Sequence, residues 1–519
     1  MRRDRTAQRA HRRLTGAGLV VLGPLLLGAC AIRPVPITPA EHADRARQDY
    51  DTLARNYAPV TAPLTEADAI ARALKYNYDA ALSRMEQTLQ EREIDLALTQ
   101  LLPRLAADAG YHTRSNDDAA TSISELTKKE SLEPSYSTAR THFTADLTFS
   151  WNMLDVGVSY FQARQQGYRA LVAVERRRKV IDGIVKGVQD AFWKAAIAET
   201  LLPRLDPLVA DAERMLNASR ATRAAQLQPE LQSLDYEENL LQVISQLRHM
   251  RTDLLLARAR LASLIAVPPE APFTLVQPPA AQLHRPDNVE MAELETTALN
   301  LRSELREAAY QERIDRQDIY KEIVKMMPGV GIFGGLNYDS DTLLYNHAWA
   351  DFGVRATYNL VSLIQGPQAI AAAKAAVDVS KARRLALGIA VLTQCNIGYR
   401  EYLAALDDLD TATEVDTIEQ QIVRASTHAT AAEAQSEAQR VRRGLAAMVA
   451  DYDRARAEGD AYNALANIYS AVGADLVPPD VSLNDLDALS KDVATSLQRW
   501  NAGELPAVVT AVRTASARP

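Results

Sequence analysis

From Thr141 to Leu154 the chain alternates with period two: Phe143, Ala145, Leu147, Phe149 and Trp151 fall on one side, and His142, Thr144, Asp146, Thr148, Ser150 and Asn152 on the other. That is the pattern of a strand with one apolar and one polar face. A second copy lies downstream, where Ala350, Phe352, Val354, Ala356, Tyr358 and Leu360 alternate with Asp351, Gly353, Arg355, Thr357 and Asn359. Each copy has an alternating partner just upstream. Leu105, Ala107, Ala109 and Tyr111 oppose Arg104, Asp108 and His112; Val330, Ile332, Leu336 and Tyr338 oppose Gly331, Phe333 and Asn337. These segments are close to the ~9 to 11 residues that a tilted strand needs to cross a bilayer. A one-sided sheet on a soluble core alternates in the same way, so the surrounding chain has to decide, and that chain is helical.

The 519 residues are 47% hydrophobic but only 6% aromatic. So little aromatic mass disfavours a thick globular core and favours thin, Ala-rich helical packing. At the N-terminus Arg2, Arg3, Arg5, Arg9, Arg12 and Arg13 precede an apolar run from Leu14 to Leu27, which ends in Leu27-Gly28-Ala29-Cys30. This reads as a signal peptide (1–29) with a lipoprotein cleavage box, so Cys30 is expected to be diacylated, palmitate included; the plainer alternative is a cleaved signal with an incidental cysteine. Removing residues 1–29 takes away six Arg and one Asp, which moves the net charge from −8 to −13. So acidic a chain is a poor nucleic-acid binder. Cys395, the other cysteine, sits in an Ala-rich helical stretch and is expected to pack as a small hydrophobe. After the signal no run of 18 apolar residues occurs, so any membrane crossing must use strands.

A Pro-punctuated leader (30–63) is followed by a helix that opens at Thr65 with Glu66 and Asp68 in its first turn and runs to Leu102-Pro103. Helix is expected again from Tyr160 to about Ala221, with a break or bend at Pro203 and Pro207. Another runs from Glu230 to Ile265, and a Pro-rich linker (268–286) leads into the same plan once more. Ala73-Leu74 and Leu102-Pro103 match Ala298-Leu299 and Met327-Pro328 at an offset of 225, whereas Trp151-Asn152-Met153 and Leu264-Ile265-Ala266 match Tyr358-Asn359-Leu360 and Ala471-Val472-Gly473 at 207. The difference of 18 falls between the strands of each hairpin, so the first carries a longer loop, around Ser115 to Ala139. Two tandem units result: 64–267, with strands at about 104–113 and 141–154, and 287–475, with strands at about 329–338 and 349–362, before a C-terminal segment at 476–519. Four strands cannot close a membrane barrel, which needs at least about eight, so several chains must pool them. Helices of about 65 residues would be roughly 100 Å long and need lateral partners.

These features together resemble the TolC family of outer-membrane efflux proteins over most of residues 64–475. The resemblance rests on LTEADAIARALKYNYDA at the repeat start, on FSWNMLDVGVSYFQARQQ with Trp151, Asp155 and Gly157 at the strand-to-helix junction, and on ARARLASLIAVPP and LANIYSAVGADL at the repeat ends. It implies a mainly α, TolC-like fold with a small β part. Long helical hairpins would form a periplasmic α-barrel, coiled-coil-like in its packing, and each chain of a homotrimer would add four strands to an outer-membrane β-barrel. It also implies a passive exit duct of a tripartite efflux system, working with a periplasmic adaptor and an inner-membrane transporter, with lipid around the strands. The polar-face residues His112, His142, Asp146, Asp351 and Arg355 would line the pore. At the periplasmic tips, Gln226, Glu230 and Gln232 align with Glu433, Glu437 and Gln439 at offset 207. Gln226 and Glu433 stand where the family often has Gly, and Gln232 and Gln439 where acidic residues are common; Ser362-Leu363-Ile364-Gln365-Gly366 also replaces the usual second junction. The tip glutamates also suit simple helix-start capping.

Gly329-Val330-Gly331-Ile332-Phe333-Gly334 matches a dinucleotide fingerprint in letters only, because it follows a helix and continues into a strand. The eight His are scattered, with none at helical metal-ligand spacing. Whether His112 and His142 meet is left open; pore lining is the reading for both, since two imidazoles fall short of a full ligand set. No catalytic grouping stands out, and neither an enzyme nor a cofactor is expected. Two other readings remain: an exit duct for type I protein secretion, and a lipid-anchored helical scaffold without a pore.

Overall fold

The computed structural model describes residues 35–55, 58–131, 133–225, 229–268, 270–277, 283, 285, 290–431, 437–477 and 485–504, with side chains at all of these except 55, 427–431 and 437–441. The chain divides into two units, Met1–Ala58 and Pro59–Pro519. In the first, the expected irregular leader contains a helix, α1 (Pro39–Arg55). Proline is tolerated at a first helical position, the Thr38 hydroxyl accepts from Glu41 N at 3.2 Å, and Arg45 reaches Glu41 at 2.7 Å one turn away.

The second unit runs α2 (Glu66–Tyr76), α3 (Tyr78–Thr99), β1 (Arg104–Thr113), β2 (Thr141–Asn152), α4 (Met153–Ala224) and α5 (Glu230–Leu264). The same order follows: α6 (Met291–Leu301), α7 (Ser303–Lys325), β3 (Gly329–Asp339), β4 (Ala348–Thr357), α8 (Ser362–Ala431) and α9 (Glu437–Val472), with α10 (Leu486–Asn501) last. Thr65 and Asp68 form a reciprocal capping box at the start of α2. The helix expected to continue to Leu102 is instead split at Asn77, whose backbone is extended (ψ 132). Its side chain caps α3 through Asp79 N at 2.8 Å and donates to the Leu264 carbonyl at 3.2 Å. The equivalent residue at offset 225 is Arg302, which is likewise extended (ψ 124), separates α6 from α7 and donates to the Ser470 carbonyl at 2.6 Å. In both repeats, then, the interrupting side chain pins the end of the last helix. Those ends also match. Ala266 (φ 53) and Gly473 (φ 78) both take the left-handed conformation, and the following amides, Val267 N and Ala474 N, return to Ala262 O and Tyr469 O.

Two sequence expectations about strand ends are corrected, and of the break or bend expected at two prolines the break is excluded. β2 stops at Asn152, two residues short of Leu154, because the Asn152 side chain accepts from Leu154 N at 3.0 Å and starts α4 there, seven residues before Tyr160. β4 stops at Thr357, where Asn359 turns the chain into α8 by accepting from Val361 N and Ser362 N. Pro203 and Pro207 lie inside a continuous helix of 72 residues. Each removes one backbone hydrogen bond, but Leu201 and Leu205 beside them are fully buried in the cluster where α4 meets Leu247, Met250 and Leu254 of α5 and Leu445 and Met448 of α9. Cys395 packs in a second cluster with Ala298, Leu305, Val391 and Ala471, its thiol 3.4 Å from the Ala471 carbonyl. The C-terminal segment supplies α10, in which Leu489, Val493, Leu497 and Trp500 are buried; it packs onto α2, its Ser490 hydroxyl donates to Asp68, and Trp500 stacks on Tyr469 of α9.

Candidate functional site

The four strands form one antiparallel sheet in the order β1-β2-β3-β4. The register aligns the alternating sets of both hairpins. Leu105 pairs with Phe149, Ala107 with Leu147 and Tyr111 with Phe143. Leu147 pairs with Leu336 and Trp151 with Ile332, and Ile332 pairs with Val354 and Gly334 with Phe352. One face is therefore apolar across all four strands, with Tyr111, Phe143 and Tyr338 toward its loop end and Trp151 toward its helix end. Phe352 is 75% exposed, Leu105 67% and Val354 64%. A half-buried soluble sheet covers its apolar face; this one is left bare by the described chain, and both edge strands keep one side unpaired. Interfacial aromatics around an apolar band are what a lipid-facing sheet requires.

The opposite face carries the charges in tiers. At the helix end lie Arg104 and Arg355, the latter stacked 5.1 Å from the Phe333 ring, beside a cavity of about 460 Å³ lined also by Ser150, Asn152 and Thr357. Phe333 lies flat only because its neighbour is Gly353; a Cβ there would come within 2.3 Å of the ring. In the middle, Asp108 faces Asp146 across β1 and β2, Asp146 faces Asn337, and the Asn337 amide donates to Asp351. Near the loop end, His112 faces His142 with ring centroids 5.0 Å apart. The His142 Nδ1 is 2.8 Å from Asp339 Oδ1, and His347 Nδ1 is 3.0 Å from the Asp339 carbonyl. Above this tier the first loop is itself a small hairpin, with bridges Ala120–Ser135 and Ile123–Glu130. It is tied down by the two-pronged Arg140–Asp117 ion pair and by Ala139 N, which donates to the buried Asp341 carboxylate at 3.0 Å. Among the described residues no group of three or more metal-ligating side chains converges.

No family model and no curated protein matches the sequence. Solved structures do. The outer-membrane channel CmeC of Campylobacter jejuni matches with a TM-score of 0.60 at 12% identity, covering 89% of this chain and 94% of that one. The open state of the MtrE outer-membrane channel of Neisseria gonorrhoeae matches with 0.60 at 15%, covering 79% and 88%. The outer-membrane channel OprN matches with 0.58 at 14%, covering 78% and 89%. The chain has the TolC-like channel fold.

Within this TolC-like chain, the five polar-face residues singled out by sequence, His112, His142, Asp146, Asp351 and Arg355, share one face of one sheet. His112 and His142 meet; Asp351 and Arg355 each contact β3. Sequence reasoning missed Asp339 and His347, although both continue the odd-numbered alternation past the expected strand limits. Of the residues expected at the tips, Glu230 and Gln232 lie exposed in the first turn of α5, behind Pro229, which offers no side-chain cap. The end of α4 is tied to α5 by Arg223, which makes a two-pronged ion pair with the buried Glu237 at 2.8 and 3.2 Å. Cys30, Gln226 and Glu433 lie outside the described residues, as do the side chains of Glu437 and Gln439.

Proposed function

We propose that this chain is the outer-membrane exit duct of a tripartite efflux system, a passive conduit that conducts small molecules across the periplasm and outer membrane. A single observation carries the reading: an open four-stranded sheet with a bare apolar face, a charged opposite face and two unpaired edges. Membrane barrels need at least about eight strands, which favours three copies pooling twelve. Leu82, Met85 and Leu89 make an exposed apolar stripe on α3, as do Leu385 and Ile389 on α8; these suit lateral contact between copies. α4 and α8, 72 and 70 residues long, extend about 105 Å at ~1.5 Å per residue, enough to reach deep into a periplasm toward an adaptor and an inner-membrane transporter that supplies the energy. The periplasmic end would be formed by Gln226, Glu230, Gln232, Glu433, Glu437 and Gln439, and Cys30 would carry the lipid anchor. The polar face, with His112, His142, Asp146, Asp351 and Arg355, would line the pore. No part of this requires catalysis or a cofactor.

Particle imaging of the protein purified from membranes tests the assembly. Threefold projections with a mass of three chains are expected, and a monodisperse monomer in a lipid-like environment would overturn it.

A further inference from the structure

We propose that His112 and His142 form a chelating site for a borderline divalent transition metal, of the Ni²⁺, Cu²⁺ or Zn²⁺ class, on the polar face near the loop end of the sheet. The two residues are direct cross-strand partners, and their ring centroids are 5.0 Å apart, tilted by 35°. With metal–nitrogen bonds of about 2.0–2.1 Å at near-tetrahedral angles, two imidazoles on one ion place their centroids about 5 Å apart. The observed centroid spacing matches the one such a chelate requires, with His112 Nε2 turning from beside Gly110 toward the ion.

The surroundings prepare the pair for this role. Asp339 Oδ1 sits 2.8 Å from His142 Nδ1 and also accepts from the Asp341 backbone N–H at 2.9 Å, so the carboxylate is fixed from two directions. An ionised carboxylate can only accept here, so in the neutral imidazole the Nδ1 nitrogen is the one that donates to Asp339, and Nε2 is the one open to a ligand. A carboxylate bonded to the distal nitrogen is the usual outer support of a metal-bound histidine. Gly110 provides room on the other side: a Cβ there would lie 2.9 Å from Thr144 Oγ1 and 3.1 Å from His112 Nε2, so a larger residue would crowd that ring. Nitrogen ligands from imidazole select Ni²⁺, Cu²⁺ and Zn²⁺ over Mg²⁺ or Ca²⁺. Two protein ligands leave the remaining positions to water, which makes the site exchangeable. Its consequence for conduction rests on the duct reading; the binding itself does not.

Calorimetric titration of the untagged full chain in detergent with Ni²⁺ tests the site. One Ni²⁺ per chain is expected, with no response to Mg²⁺. Binding should weaken more than tenfold in His112→Gln and in His142→Gln, persist in His249→Gln, and weaken ten- to a hundredfold in Asp339→Asn, the usual effect of losing an outer-shell partner. No Ni²⁺ binding by the wild-type chain would overturn the proposal, as would undiminished binding in both His112→Gln and His142→Gln. Unchanged affinity in Asp339→Asn would remove the orienting role of that carboxylate. In planar bilayers Ni²⁺ should reduce conductance in the wild type and not in His112→Gln. A chain that binds Ni²⁺ but never conducts would refute the duct and leave the metal site standing.

Discussion

Placing one charge on either face of the same strand separates a lipid-facing sheet from a soluble one. Leu147 lies near the middle of β2 on the apolar face, between Ala107 and Leu336; Thr148 lies one residue on, between Ala106 and Gly335 on the polar face. Within the chain Leu147 is 40% exposed, so a soluble sheet would let an arginine there swing into water at little cost. If the face meets hydrocarbon, Leu147→Arg costs about 2–4 kcal/mol near the bilayer midplane. That is roughly a 30- to 1,000-fold change in the folding equilibrium. Thr148→Arg has small neighbours, reaches the water of a pore, and should change stability by less than about 0.5 kcal/mol, the usual range for a surface substitution. Urea titrations in lipid vesicles, followed by the gel shift between folded and heat-denatured protein, measure both variants. Equal costs for the two would refute the assignment of the faces, and a larger cost for Thr148→Arg would invert it.

The repeat ends make a paired prediction. A Cβ on Gly473 would lie 2.8 Å from the Arg302 nitrogen and 2.8 Å from the Leu301 carbonyl carbon at φ 78. Gly473→Ala should thus cost more than the ~1–2 kcal/mol of a left-handed residue alone, whereas Ala266→Gly, which trades that strain for chain entropy, should shift the urea midpoint by less than about 1 kcal/mol equivalent. Glu66 is raised in pKa by burial, only partly countered by the Gln189 amide that donates to it at 3.0 Å. A carboxyl whose folded pKa lies above its unfolded value of about 4.3 loses stability as pH rises through that window. Glu66→Gln should therefore be more stable than wild type at pH 7 to 8, with the gain vanishing below about pH 4 in thermal scans; a gain that persists in acid would contradict this. Excising residues 119–136 keeps Ala139, Asp341 and the Arg140–Asp117 pair, so the proposed trimer should assemble with near-normal melting, since closure entropy changes slowly with loop length. Failure to assemble would make that hairpin structural.

Much of this fold is written in short-range pattern. The alternation in Thr141 to Leu154 and Ala350 to Leu360 marks the strands, and the offsets of 225 and 207 anticipate the paired roles of Asn77 with Arg302 and of Ala266 with Gly473. The misreadings arose where distant contacts override local preference. Asn77 is an acceptable helix residue, yet its bond to the Leu264 carbonyl breaks the helix there. Of the break or bend expected at Pro203 and Pro207, the break is absent, because the burial of Leu201 and Leu205 carries α4 through them. The β2–β3 pairing joins the two hairpins across most of the first repeat, and no local signal announces it. For the site, the alternation assigned His112 and His142 to one face, but their meeting and the Asp339 support depend on cross-strand register. Of the charged tip candidates, Glu433 and the side chain of Glu437 lie outside the described residues, and Glu230 is exposed.

The most direct measurement is single-channel recording of the purified full chain in planar bilayers. The account predicts stable conductance steps from a trimer, altered in ion selectivity by Asp146→Asn on the polar face and unaltered by Ala350→Val on the apolar face. A correctly assembled trimer inserted in the bilayer that passes no current would contradict the duct and favour a lipid-anchored helical scaffold.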